Sequence, residues 1–385
     1  MEAITVTHVG MDVHGQTIEY SVRRPGETEP SRFQSPHSAQ AVRTIFGKLR
    51  RSVGGPIRAC YEAGPTGFEL CRLLRSEGID CVVIAPSLIP TRPGDRCKTD
   101  RKDARHLREM DEAGKLVEVQ VPTREEEAAR SLTRQLEKAR HGVVRAKLRI
   151  SSNLLRLSLS RPAGEPWTKA HRAWLDKLQL AQPIDQIIHV DNLAELQHCE
   201  ERMRRLERHV EVLADTKPFA EKVRALRCFR GIETATAMGI ATELLVPVRF
   251  RSAREVMAYA GLGICESSSG ESRWQGGITK TGNAHLRRHL VRAARHAAKG
   301  ALRESKGLAA RRKDAPDWAI DLGRRAQRRL HEKHARMQGN RKHPNVIAAA
   351  VARELAGWTW AALVRSSQLA STPSIEVDAD GVPAT

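Results

Sequence analysis

The 385-residue chain carries 65 Lys and Arg against 45 Asp and Glu, a formal charge of +20 with a pI near 10.2. That balance favours a polyanionic partner such as nucleic acid over an acidic small molecule, although charge alone also fits a ribosome-associated or merely soluble basic protein. Hydrophobic residues make up 40% of the chain, enough to fold rather than leave the chain as a whole disordered, and the length implies two or three domains. No run reaches the ~20 continuous apolar residues of a membrane span, and the start MEAITVTHVGMDVHG lacks a basic segment followed by an apolar one, so a cytoplasmic protein without a membrane partner is expected.

Residues 4–9 (ITVTHV) and 18–22 (IEYSV) read as β-strands joined by a turn at Gly15, and Ser38–Val53 carries Ala41, Val42, Ile45, Phe46 and Leu49 at helical spacing. Two strands are thus expected before the first helix. A short strand at 57–61, a helix from about Thr66 to Ser76 closed by Gly78, and an apolar strand at 79–85 complete an α/β domain over residues 1–122. From Arg124 the pattern becomes one long helix with Leu132, Leu136, Ala139, Val143, Ala146, Ile150, Leu154 and Leu157 in alternating steps of three and four, apart from one extra residue. After an interruption containing Pro162, Pro166 and Pro183, the same spacing returns at Leu196, Cys199, Met203, Leu206, Val210 and Leu213. Residues 123–217 are therefore expected to form a coiled-coil region, either folded back as an antiparallel hairpin or paired with a second chain; ordinary amphipathic helices of a compact domain are the competing reading.

Residues 218–366 read as a mainly helical domain broken by a Gly/Ser/Thr-rich loop at 261–283, and 367–385 as a disordered tail. Between Leu286 and Lys342 stand 18 Lys/Arg against 5 Asp/Glu, so the positive charge is concentrated. The seven cysteines are scattered and never in CxxC pairs, which supports neither disulfides nor a zinc site.

Four carboxylates fall at element ends: Asp12 in GMDVH after the first strand, Glu62 in YEAGPTG at the end of a later one, and Asp100 and Asp103 in KTDRKDA at a helix start. Strand ends converge at one sheet edge, and a helix crossing that edge can add two residues three apart, giving an all-oxygen cluster suited to two Mg²⁺ ions and to phosphodiester chemistry. Each acid alone also reads as a solvated surface group, and Asp103, between Lys102 and Arg105, as a helix ion pair.

GMDVH, YEAGPTG and VIAPSLIPTRPGDRCKTDRKDARHL, in this order, resemble the DEDD insertion-sequence transposases, whose first domain is RuvC-like with a ribonuclease-H fold. The resemblance implies metal ligation by Asp12, Glu62, Asp100 and Asp103, with Lys98 and Lys102 as phosphate contacts and His14 as an assistant or a structural residue. LRCFRGIETATAMGIATEL is similar to helix-hairpin-helix elements, with Gly231 at the turn either presenting N–H groups to a phosphate or serving as a structural glycine. The segment FRSAREVMAYAGLGICESSSGESRWQGGITKTGNAHLRRHLVRAARHA and the ending KHPNVIAAAVARELAGWTWA extend the likeness to nearly the whole chain.

Within that family the Ser of a Ser-Gly pair is the nucleophile, which implies Ser269 here, with Ser268 and Ser267 as neighbouring alternatives. The residues alone read equally as a flexible polar loop. The implied reaction brings Ser269 to a phosphodiester held by the metal-carrying acids, while Lys280 or Arg287 balances phosphorane charge and Asn283 and Thr279 shape the loop and cap the following helix. The resemblance further implies DNA as substrate, a bridge RNA as guide, Arg287 and Arg288 among the nucleic-acid contacts, and dimers assembling to a tetramer, in a bacterial cytoplasm at the nucleoid. Two rivals stand beside it: a RuvC-like Holliday-junction nuclease using water, and a nucleic-acid-binding scaffold without catalysis.

Overall fold

The N-terminal part is built on three consecutive antiparallel strands, β1 (Thr7–Val13), β2 (Thr17–Arg23) and β3 (Ser31–Pro36), which lead into α1 (Ala39–Ser52), β4 (Ile57–Glu62), α2 (Glu69–Ser76), β5 (Asp80–Ile84) and α3 (Asp100–Glu112). In this computed structural model residues 6–90, 100–269, 272–297 and 303–371 are described, without the side chains of 100–101, 267–269, 272–273 and 370–371. The sheet order is β3-β2-β1-β4-β5, with β1, β4 and β5 parallel, a mixed arrangement consistent with a ribonuclease-H-like fold.

Three strands, not two, precede α1. β3 escapes the sequence reading because it is an edge strand of sequence SRFQSP with only Ser35 buried, so it carries no apolar alternation to detect. One face of the sheet buries Val9, Met11, Tyr20 and Tyr61 against Val42, Phe46, Leu70 and Leu74 of α1 and α2. The other face, carrying Cys60 and Val82, packs on Leu107 of α3. Helix α1 starts where the Ser38 hydroxyl accepts the Ala41 N–H and ends in Arg50 and Arg51, suited to the negative end of its dipole.

The chain divides into two units, Met1–Thr123 and Arg124–Thr385. The second begins with α4 (Arg124–Arg156), α5 (Lys169–Lys177) and α6 (Pro183–Ala214). α4 and α6 fold back on each other within one chain: Arg140 pairs with Glu207, Lys147 with Glu200 and Arg156 with Asp185, an antiparallel order. Val143, Ala146, Ile150, Leu154 and Leu196 fill the contact together with Leu175 of α5, a helix that the proline-interrupted sequence conceals.

Next come α7 (Ala220–Leu226), α8 (Thr234–Leu244), α9 (Ala253–Tyr259), strands β6 (Ile264–Ser269) and β7 (Ser272–Ile278), then α10 (Ala284–Ala297), α11 (Lys306–Arg312), α12 (Asp317–Gly339) and α13 (Pro344–Ser371). The base of the long hairpin and these helices share one core, in which Leu136 and Val210 lie with Leu226, Ile240, Leu286 and Val351. Contrary to the reading from continuous apolar runs, the stretch Pro344–Leu369 of α13 is long and apolar enough to cross a membrane by length and composition. Its residues Val351, Ala352, Leu355, Ala356, Ala362 and Leu363 are buried in that core, which accounts for the apolarity.

Candidate active site

The strand register sets the acids. β1 and β4 pair in parallel from Thr7↔Ile57 to Met11↔Tyr61, so Asp12 and Glu62 are the next residues along adjacent strands. Asp12 belongs to β1 itself, opposite Glu19 of β2, rather than to the turn after it. Alternation puts Asp12 on the face of His8 and Gly10, and Glu62 on the face of Arg58 and Cys60. Both are the face that α3 covers: His8 Nδ1 lies 2.7 Å from Asp111 Oδ2, Arg58 Nε donates to Asp111 Oδ1 at 3.1 Å, and Cys60 packs with Leu107.

Helix α3 runs antiparallel to β1. Its C-terminal Asp111 meets His8, whereas Ala104 and Arg108 meet Gly10, where a Cβ would collide with the Ala104 carbonyl oxygen. The four residues back from Ala104 to Asp100 rise about 6 Å, and two residues along β1 from Gly10 rise about 6.6 Å. Asp100 and Asp103 thus begin α3 at the strand-end edge that carries Asp12 and Glu62. Asp12 Oδ2 stands 3.2 Å from His14 Nε2.

Carboxylate oxygens with one adjacent imidazole suit a hard divalent cation. Among the described residues no three His, Cys, Asp or Glu side chains already converge as a ligand group, and the side chain of Asp100 lies outside the described residues. Lys98 lies outside them too, and Lys102 is exposed on α3.

The segment expected as a loop is a two-stranded ribbon. β6 and β7 pair antiparallel through Ser267↔Trp274, Ser268↔Arg273 and Ser269↔Ser272, so the backbone of Ser269 occupies the last pair before the tip; its side chain and those of Ser267 and Ser268 lie outside the described residues. The neck of the ribbon is closely tied. Thr279 N–H donates to the Gly263 carbonyl at 2.8 Å, Lys280 N–H to Gly261 at 3.0 Å and Asn283 N–H to Tyr259 at 2.7 Å. Gly261 (φ +65°) and Gly282 (φ +98°) let the two legs touch backbone to backbone, since a Cβ on either would strike the Thr281 or Tyr259 carbonyl.

Beneath the neck lies a polar cluster around the buried Glu243 that spacing alone does not reveal. Arg134 of α4 grips Glu243 of α8 with two bonds, Nε–Oε1 at 2.7 Å and Nη2–Oε2 at 2.9 Å. Asn283 Nδ2 donates to Glu243 Oε2 at 2.7 Å and to the Tyr259 hydroxyl at 3.2 Å, while its Oδ1 accepts the Leu286 N–H at 2.9 Å and caps α10. Glu243 is 1% exposed; burial pushes its carboxyl up, but Arg134, Asn283 and Arg130 outweigh this and hold it below the usual range. Asn283 was the one legible member, through its capping chemistry. Arg134 and Glu243 are separated by 109 residues, beyond any local pattern.

The expected nucleic-acid contacts divide. Arg287 donates to the Ala260 carbonyl at 2.9 Å, and Arg288 pairs with Glu137, which also bonds His285, so both guanidiniums have protein partners. Gly231 (φ +82°) has a packing reason, because a Cβ there would press on Ala293 and Ala297 of α10. Lys280 is exposed with φ +58°.

A mixed sheet with Asp12 and Glu62 adjacent at one edge is followed by a helical unit bearing a two-stranded ribbon. Residues 9–158 match the family model of IS110-type DEDD transposases, and residues 223–306 match that of the IS116/IS110/IS902 transposase family. The chain is 33% identical over 372 residues to the transposase y4qE of Sinorhizobium fredii, covering 94% of this chain and 90% of that protein. It is 30% identical over 342 residues to the transposase for insertion sequence element IS1533 of Leptospira borgpetersenii, covering 87% and 97% respectively. The chain belongs to the IS110 family of insertion-sequence transposases.

Proposed function

We propose that this transposase cuts and rejoins DNA by attack of Ser269 on a phosphodiester, with Mg²⁺ held by Asp12, Glu62, Asp100 and Asp103. The observation that carries the reading is the register of β1 on β4, which makes Asp12 and Glu62 neighbours at the edge where α3 begins. The position of Ser269 in the last ribbon pair supports the nucleophile assignment over Ser267 and Ser268, which stand farther from the tip.

In the attack the serine oxygen forms a bond to phosphorus, its proton passes to solvent, and the bond from phosphorus to the leaving sugar oxygen breaks, that oxygen taking up a proton. The phosphoserine ester keeps the bond energy, so a second strand's hydroxyl can reverse the step and rejoin DNA without a high-energy cofactor. When bound, Mg²⁺ supplies polarisation of the phosphoryl group and stabilisation of the attacking and leaving oxygens. Asp12 and Glu62 would hold the metal, with His14 orienting Asp12 through its ring nitrogen, and exposed Lys280 is one cation beside the ribbon suited to a phosphate. The family resemblance and the +20 charge support two extensions: a bridge RNA selects the DNA sites, and dimers pair as a tetramer to hold two duplexes.

The test uses purified full-length protein with element-end DNA and Mg²⁺. Ser269→Ala is expected to abolish the covalent protein–DNA adduct and to cut strand exchange at least about 10³-fold, with DNA binding kept. Asp12→Asn is expected to abolish cleavage with binding kept. Strand exchange persisting in Ser269→Ala would overturn the serine step in favour of water as nucleophile, and unaltered cleavage by Asp12→Asn would overturn the acid site.

A further inference from the structure

The β6–β7 ribbon carries one large aromatic side chain that the helical core does not use. Trp274 of β7 is 62% exposed and, unlike Ile278 of the same strand, does not pack on that core. Its indole is nonetheless placed. A Cβ added at Gly276 would stand 2.5 Å from ring atom Cη2 and 2.8 Å from Cζ3, so the benzene edge of the indole rests on glycine backbone two residues nearer the neck. The bare glycine lets the ring lie along the ribbon with its other face open to solvent, and any side chain at position 276 would lift it.

The strand pairing brings this ring beside the residue proposed to attack DNA. Trp274 pairs with Ser267, and the pair Ser269↔Ser272 lies two steps further along. An even step along the pleat keeps both pairs on one face of the ribbon. Two residues rise about 6.8 Å, the span of about two base steps of 3.4 Å. The opposite face carries the pair Glu266↔Gln275, in which the Gln275 amide donates to the Glu266 carboxylate at 3.4 Å. A carboxylate on that face disfavours phosphate, so the tryptophan face is the one better suited to an approaching DNA strand.

We propose that Trp274 is a stacking platform for one nucleobase of the cleaved DNA strand, within about two steps of the phosphodiester that Ser269 attacks. The assignment rests on Ser269 being the attacking residue. Strand exchange breaks base pairs at the cut, and a base that leaves its pair also loses its stacking neighbours. The open indole face replaces one of those neighbours and holds the strand with the attacked phosphate at the end of the ribbon. Every base has a flat face to offer, so Trp274 supplies position and not sequence choice.

The test follows the covalent protein–DNA adduct formed by full-length protein on element-end DNA with Mg²⁺, with an abasic nucleotide placed singly at each of the two positions on either side of the cut. Trp274→Ala is expected to slow adduct formation roughly 5- to 150-fold at limiting DNA, and Trp274→Phe to recover most of that loss. Gly276→Ala, which keeps the indole but lifts it, is expected to fall between wild type and Trp274→Ala. At one position the abasic site should slow wild type by a similar factor and Trp274→Ala no further, so that the two losses fail to add. The abasic arm on wild type needs no substitution, and thermal unfolding of the variants should match wild type because Trp274 lies off the core. Trp274→Ala at the wild-type rate, abasic sites without effect on wild type, or losses that add at every position overturn the stacking alone. An adduct that persists in Ser269→Ala, or that wild type never forms, overturns the serine reading and the stacking with it.

Discussion

His289 shows how one side chain ties stability to pH. It lies at α10's buried face against Gly239 of α8, with no room for a Cβ on that glycine. Burial pushes its imidazole down to about 4, against the pull of Glu137 and Glu243 and with help from Arg292 and Arg140. The unfolded chain takes up this proton near 6.5 and the folded chain only near 4, so stability is intact above 6.5 and falls as pH drops between these values. The loss amounts to about 3 kcal/mol. Denaturant unfolding between pH 7 and 4.5 should show this decline in wild type and a flatter profile in His289→Gln; parallel profiles would assign the acid sensitivity to other groups.

At the scale of elements, the neck of the ribbon is held by two glycines and the polar cluster around Glu243. Gly282→Ala is expected to destabilise by at least about 2 kcal/mol, through its positive φ and its clash with the Tyr259 carbonyl. Limited proteolysis should then cut within β6–β7 faster than in wild type. Gly277→Ala, which adds a methyl in open space on β7, should leave both readouts unchanged. A Gly282→Ala protein as stable and protected as wild type would contradict the tied neck. The strands of this ribbon were hidden in the sequence because Ser267–Ser269 and the glycines Gly276 and Gly277 have low β propensity; cross-strand pairing, not local preference, makes them strands. The long helices α4 and α6 were legible for the opposite reason, since a sustained three-and-four spacing has no other regular solution.

At the scale of the whole molecule, each unit has a buried apolar core of its own among the described residues, drawn from Val9 to Val83 in the first and from Ala129 to Leu363 in the second. Gly10→Ala should therefore act on one unit alone. The added Cβ drives α3 off β1, and calorimetry should show the transition of the N-terminal unit moved down by several degrees with the other in place. A single transition that shifts as a whole would show the two cores to be coupled. The candidate acids were legible because strand ends and helix starts follow from apolar runs and their boundaries. What the sequence left unsaid was their shared face, which depends on β1 and β4 being neighbours although about fifty residues separate them. The acceptors that take up Arg287 and Arg288, the Ala260 carbonyl and Glu137, were equally invisible, being 27 and 151 residues away.

The crossing at Gly261 and Gly282, knotted to Asn283 below, insulates what lies beyond it. Among the described side chains of residues 264–278, Ile278 packs against the helical core, whereas Ile264 and Trp274 are exposed and can vary without disturbing it. Changes at those exposed positions thus alter what the ribbon presents to solvent while the backbone clasp at Gly261 and Gly282 is kept.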